Sequence, residues 1–128
     1  MKILFTGSAG FIAGYTVEAL LRQGHEVVGI DNYSKYGPIK KSYSDHPAYT
    51  FVEGDVKDVG LLKTLVADCD VMVAAAAMIG GISYFHEFAY DLLAENERIV
   101  ASTFDAAIES FKNQKLKKII VISSSMVF

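Results

Sequence analysis

Thiols are scarce in this sequence: Cys69 is the one cysteine among 128 residues, which excludes an internal disulfide. His25, His46 and His86 are too scattered to complete a metal cluster around it, so no metal site is expected. A chain without disulfides suits a reducing compartment, and the expected location is cytoplasmic. Positive charge is in deficit as well. Twelve lysines and arginines against fifteen acidic residues leave a net charge of -3, no field to hold a polyanion, and no expectation of a nucleic-acid partner. Long apolar runs are also missing. The uncharged stretch Ile3 to Val17 is interrupted by Gly7, Gly10 and Gly14 and does not read as the core of a secretory signal. Val71 to Phe85 is uncharged too, but it falls short of the roughly 18 apolar residues of a membrane span and contains Gly80 and Gly81. No membrane association is expected. At about 150 residues per domain a second full domain does not fit. The chain has no internal repeat, low-complexity tract or linker.

What is present is apolar and periodic. Hydrophobic residues make up 52% of the chain, enough for a single core that buries roughly 65 to 70% of the unfolded surface. Lys2 to Thr6 reads as a strand ending in a glycine turn, and Phe11 to Gln23 as a helix stopped by Gly24. Glu26 to Ile30 and Thr50 to Glu53 read as two further strands. Asp58 is placed to cap a helix carrying Val59, Leu62, Leu65 and Val66, and Val71 to Ala75 is a fourth strand. From Phe85 to Asn113, apolar residues recur at three- and four-residue steps, which predicts one long helix with one apolar face. Lys115, Lys117 and Lys118 are expected to close it where the helix dipole favours positive charge, ahead of a fifth strand at Ile119 to Ile122.

Strands that are continuous apolar runs, alternating with helices, predict an α/β fold with a parallel sheet covered on both faces. Right-handed crossovers then favour the doubly wound order 3-2-1-4-5 of a Rossmann fold, here with nothing beyond strand five. The connection from Asn32 to Tyr49 is too long for an ordinary one and is expected to be functional or mobile.

The chemistry concentrates where the first strand meets the first helix, at Thr6-Gly7-Ser8-Ala9-Gly10-Phe11-Ile12-Ala13-Gly14. Gly7 permits a sharp turn, Gly10 a close approach of backbone to a pyrophosphate, and Ala13 is small enough for the helix to pack on the strand. The helix N-terminus would then offer unpaired N–H groups to the anion. A glycine turn without any ligand has the same letters, so position matters more than motif. Asp31 sharpens the pattern. It ends the second strand 21 residues beyond Gly10, near the approximately 20-residue spacing of a carboxylate that takes the adenosine ribose hydroxyls. The same carboxylate repels a 2'-phosphate, so NAD is expected over NADP, with Lys35, Lys40 and Lys41 as the residues that could offset it. A turn former paired with Asn32 is the plainer reading of Asp31.

Taken in order, several blocks resemble one family. They are Thr6-Gly7-x-x-Gly10-Phe11-Ile12, Asp31-Asn32, Glu53-Gly54-Asp55-Val56-Lys57-Asp58, Asp70-Val71-Met72-Val73-Ala74-Ala75-Ala76-Ala77, Asn96 ahead of Ala106-Ala107, and Ile122-Ser123-Ser124-Ser125-Met126-Val127-Phe128. Over its whole length the chain resembles the N-terminal part of the extended short-chain dehydrogenase/reductases, specifically the NAD-dependent nucleotide-sugar epimerases and dehydratases of the UDP-glucose 4-epimerase type. It departs from them at Ala13, which replaces a third glycine, at Ala74, where relatives often carry histidine, and at Phe128, where tyrosine is usual.

The resemblance implies a cofactor site of Gly7, Gly10, Phe11, Ile12, Asp31 and Asn32, with Asp55 and Val56 flanking the adenine. Ala75, Ala76 and Ala77 would leave room for ribose and pyrophosphate, though tight packing also selects small residues. Asn96 either holds the fourth strand's backbone or the cofactor near the nicotinamide end, or is a satisfied core amide or a local helix irregularity. Ser124, four residues before Phe128, would hydrogen-bond the reacting sugar hydroxyl, with Ser125 its nearest competitor.

The reaction so implied is oxidation of a nucleotide-sugar hydroxyl by NAD, with a tyrosine of a helical Tyr-x-x-x-Lys pair as base. That pair would lie beyond Phe128. The match at Tyr36-Gly37-Pro38-Ile39-Lys40 contains residues that forbid the helical turn. The expectation is therefore the NAD-binding portion, residues 1–128, of such an enzyme, inactive alone and prone to self-association through its sheet edge and apolar C-terminus. A non-catalytic dinucleotide sensor and a carbonyl reductase of the same superfamily are the alternatives. A downstream Tyr-x-x-x-Lys would argue against the sensor, and a missing sugar-nucleotide lobe would argue for the reductase.

Overall fold

The computed structural model describes residues 1–79 and 82–123. Five parallel strands, β1 (Lys2–Thr6), β2 (Glu26–Asp31), β3 (Tyr49–Glu53), β4 (Val71–Ala74) and β5 (Lys118–Val121), form one sheet in the order β3-β2-β1-β4-β5. This is the doubly wound arrangement that the alternation of elements predicts. The period-2 alternation of a strand sends Ile3 and Phe5 to one face and Leu4 to the other, so β1 needs cover on both sides. Helix α1 (Phe11–Arg22) covers the first face with Ala13, Val17 and Leu21, spaced one turn apart. Helices α2 (Val59–Val66) and α4 (Ala89–Lys112) cover the second, over Leu4, Val28, Ile30 and Met72. Fully burying side chains such as Leu62 and Met72 contributes about 2 kcal/mol each. The connections run outward in opposite directions from β1 and β4, and a crevice opens at the carboxyl ends of these two strands.

Asp58 caps α2 as its position predicts, its Oδ1 accepting the Leu61 N–H at 3.1 Å. Asp58→Ala should therefore lower stability by about 1 kcal/mol in urea unfolding, and an unchanged midpoint would remove the cap from the account.

Four features differ from expectation. The predicted helix 85–113 is two helices, α3 (Ile82–Glu87) and α4, separated by Phe88, whose φ of -123° and ψ of 36° leave the helical region. A single non-helical residue barely disturbs three- and four-residue spacing, so periodicity does not register it. Nor does α4 have one apolar face. Leu92, Thr103, Ala106 and Ala107 are buried, whereas Tyr90, Leu93, Val100, Ile108 and Phe111 form a second stripe exposed to solvent. The lysine cluster does not close the helix. Lys112 lies in its last turn, Gln114 reverses the chain at φ 62°, Lys115 pairs with Asp70 at 3.2 Å, and Lys118 begins β5. Finally, β4 ends at Ala74, one residue early, and Ala75 to Ala77 follow it as an irregular segment.

At the β5 edge Ile120, Val121 and Ile122 are exposed. Among the described residues no helix is long and apolar enough to cross a membrane, and no group of three or more His, Cys, Asp or Glu side chains is placed to hold a metal ion. Cys69 is buried, its thiol donates to the Leu65 carbonyl, and burial pushes its pKa up to about 11, away from the reactive thiolate.

Candidate functional site

A cavity of about 450 Å³ occupies the crevice at the strand ends. Its floor is the glycine turn between β1 and α1. The Gly7 N–H donates to the Ile30 carbonyl at 2.9 Å and the Gly10 N–H to the Gly7 carbonyl at 3.0 Å, folding the turn tightly. Gly7 has φ 73°, and a Cβ there would stand 3.0 Å from the Ala75 oxygen and from the Ala76 N and Cα. The backbone after β4 passes directly against the turn. Thr6 fixes that approach, its Oγ1 accepting the N–H groups of Ala75 and Ala76 at 3.1 Å each. Gly10 is the N-cap of the 12-residue α1 and brings no capping side chain. The first-turn N–H groups of Phe11 and Ile12 therefore have no hydrogen-bond partner among the described residues. The Phe11 and Ile12 side chains are 67% and 54% exposed and line the cavity rather than the core.

Asp31, at the end of β2, borders the same cavity. Its Oδ2 accepts the Ala9 N–H at 3.0 Å and its Oδ1 the Tyr33 N–H at 2.8 Å, so the carboxylate is oriented by backbone on both sides. Each oxygen keeps a further lone pair for a ligand hydroxyl. Asn32 lies beside it and accepts the Ser34 N–H at 3.0 Å. Of the three lysines able to offset the acid, only Lys35 lines the cavity. Lys40 is paired with Asp45 at 2.7 Å, and Lys41 Nζ lies 3.4 Å from the Gly10 carbonyl oxygen.

The far wall comes from the turn after β3. Asp55 Oδ1 accepts the Lys57 N–H at 2.9 Å, and Val56, 7% exposed, has its carbonyl held by the Ser102 hydroxyl of α4. Lys57 Nζ donates to Glu95 Oε2 at 2.6 Å and lies 3.6 Å from Asp55 Oδ2. The hydrogen bond to Glu95, ahead of the nearby Asp55 charge, raises the Lys57 pKa. This bridge ties α4 to the β3 turn across the cavity rim.

Ala75, Ala76 and Ala77 line the fourth side, with Ala74 and Met78. Asn96 does not line the cavity. It works one layer behind, its Oδ1 accepting the Met78 N–H at 2.8 Å while its Nδ2 donates to the Met78 and Leu92 carbonyls at 2.9 and 2.8 Å. Asn96 thus holds the Met78 backbone, and with its oxygen and its amide nitrogen both engaged it is also a satisfied amide, so both sequence readings fit this geometry. Eleven of the anticipated residues thus meet in one cavity, namely Gly7, Gly10, Phe11, Ile12, Asp31, Asn32, Asp55, Val56, Ala75, Ala76 and Ala77. Ser124 and its competitor Ser125 lie outside the described residues.

Three contributors carry no assigned role in the sequence reading: Thr6, the Lys57–Glu95 bridge and Tyr43, whose hydroxyl donates to the Ser8 carbonyl at 2.7 Å. Thr6 sits inside the motif, but nothing in the letters shows that its hydroxyl faces β4. Tyr36 and Lys40 lie in a non-helical loop, so they form no catalytic pair.

A family model for the NAD dependent epimerase/dehydratase family matches residues 3–128. The chain belongs to this family. Among curated relatives, the low-salt glycan biosynthesis protein Agl12 of Haloferax volcanii is 36% identical over 119 residues, which is 86% of this chain and 36% of the relative. Among solved structures, Bordetella bronchiseptica WbmH in complex with NAD+ is 32% identical with a TM-score of 0.69, the match covering 86% of this chain and 36% of that one. The UDP-glucose 4-epimerase of Bifidobacterium longum in complex with NAD+ and UDP is 26% identical with a TM-score of 0.81, over 99% of this chain and 38% of that one. The chain therefore spans between 36% and 38% of the length of these relatives.

Proposed function

We propose that these residues are the NAD-binding part of a nucleotide-sugar epimerase or dehydratase. The observation that carries the reading is the Asp31 carboxylate facing the same cavity as the unpaired first turn of α1, one suited to ribose hydroxyls and the other to a diphosphate. Positions 7 and 10 fit it, because the turn is folded too closely for side chains there: a Cβ at Gly7 would stand 3.0 Å from the Ala75 oxygen and the Ala76 backbone, and one at Gly10 3.1 Å from the Gly7 carbonyl oxygen. Gly7, Gly10, Phe11 and Ile12 would hold the diphosphate, Asp31 and Asn32 the adenosine ribose, and Asp55 and Val56 the adenine. Ala75 to Ala77 leave space beside them, and Asn96 steadies the wall through Met78. When bound, NAD supplies an acceptor for the hydride of a sugar carbinol. Ser124 would hydrogen-bond that sugar hydroxyl, and no helix of the described residues carries a Tyr-x-x-x-Lys pair.

Calorimetric titration tests the reading. NAD should bind, and NADP at least about tenfold more weakly, a difference of about 1.4 kcal/mol that one like-charge contact with Asp31 readily supplies. Equal affinities would take Asp31 out of the ribose role. Absence of binding by either dinucleotide would overturn the reading altogether.

A further inference from the structure

The loop between β2 and β3 does more than connect them. Residues 32–48 leave the sheet beside Asp31 and come back onto the glycine turn. There the Tyr43 hydroxyl donates to the Ser8 carbonyl at 2.7 Å across a sequence separation of 35 residues, and Lys41 Nζ lies 3.4 Å from the Gly10 carbonyl oxygen. Tyr43 is 3% exposed, and its ring meets that of Tyr49 edge to face with centroids 4.9 Å apart. The phenol is thus anchored on β3 and not carried by a loose segment. Burial raises its pKa far above the ordinary value, so it keeps its proton and remains a donor.

We propose that Tyr43 is a positioning residue for the phosphate-binding turn, tying Ser8 to β3 so that the N–H groups of Phe11 and Ile12 keep the arrangement a diphosphate needs. The inference rests on reading the cavity as a dinucleotide site. The backbone N–H groups of residues 7–10 are already committed: those of Gly7 and Ser8 to the Ile30 carbonyl, that of Ala9 to Asp31, and that of Gly10 to the Gly7 carbonyl. The Ser8 carbonyl depends on the phenol. Among the described residues no other group donates to the Ser8 carbonyl, and Ser8 is buried, so water does not readily take the phenol's place. Without the phenol, a buried acceptor is left unpaired and the turn gains by shifting toward water. Such a shift disturbs the diphosphate cradle, whereas Asp31 keeps its second backbone anchor at the Tyr33 N–H and the adenosine wall at Asp55 and Val56 stays in place.

That asymmetry sets the test. Tyr43→Phe keeps the ring against Tyr49 and deletes only the hydroxyl. NAD affinity should fall about tenfold, while the affinity for adenosine, which has no phosphate, stays within about twofold. Without any ligand, amide exchange at residues 8–10 should quicken relative to β1. Unchanged NAD affinity, or equal losses for NAD and adenosine, would overturn the proposal, as would unchanged exchange at the turn. If the unsubstituted chain takes up no NAD, the functional reading fails instead, and the accelerated exchange in Tyr43→Phe still reports whether the phenol holds the turn.

Discussion

Asp31→Ala should weaken NAD binding about a hundredfold, a loss of about 2.7 kcal/mol, as measured by calorimetry. Hydrogen bonds to a charged group contribute about 1.5 to 3 kcal/mol each, and a ribose diol offers this carboxylate two. The substitution also strips the Ala9 and Tyr33 N–H groups of their acceptor. Both bonds are part-buried, so water replaces them incompletely, and unfolding in urea should report a further loss of about 1 to 2 kcal/mol. Asp31→Asn separates the contributions. Its amide oxygen can still accept one backbone N–H, so stability should recover partly while ribose binding does not. A hundredfold loss in the alanine variant that the asparagine variant fully restores would mean that Asp31 merely shapes the backbone. Affinity within twofold in both would remove it from the site.

Gly7→Ala is the second large effect, and it acts on the fold before the ligand. The methyl group would need a backbone at φ 73° and would stand 3.0 Å from the Ala75 oxygen and from the Ala76 N and Cα, none of which can swing away as a flexible side chain could. The left-handed conformation costs about 1 to 2 kcal/mol, and separating β1 from the segment after β4 adds to it, so a total near 3 kcal/mol is expected. For a domain of this size the thermal midpoint should drop by about 10 °C. Gly37→Ala is the internal control. Its φ of 72° is nearly the same, yet a Cβ there meets nothing within 4 Å. It should cost only the conformational part, about 1 kcal/mol, and leave NAD binding intact. Equal losses at the two glycines would show that the approach of Ala75 and Ala76 to the turn carries no energy.

The sheet order was legible because the strands are uninterrupted apolar runs and helices separate all but β2 and β3, a combination with few allowed topologies. The glycine turn and Asp31 were legible for a related reason. They flank elements whose ends are marked by chemistry, glycine at one and an acid at the other. Boundaries were less so, with β4 stopping at Ala74 and the long helix broken at Phe88, because a one-residue change leaves periodicity intact. The apolar steps in α4 hid two stripes at different angles, and only burial distinguishes Thr103 from Val100. Tyr43 was invisible for a deeper reason. An aperiodic loop carries no signal of where it returns, and its partner at Ser8 is a backbone carbonyl that any residue type would supply.

The bond from the Ala9 amide to Asp31 bears on any attempt to redesign the protein's choice of dinucleotide. Exchanging the acid for a neutral or basic residue, the obvious first move toward NADP, would loosen the very loop that must receive the phosphates. A more promising route keeps Asp31 and recruits new cations from its neighbours, with Lys35 already facing the cavity and Ser34 open to substitution beside it. Selectivity and scaffold share an atom here, and an engineer has to alter the first without spending the second.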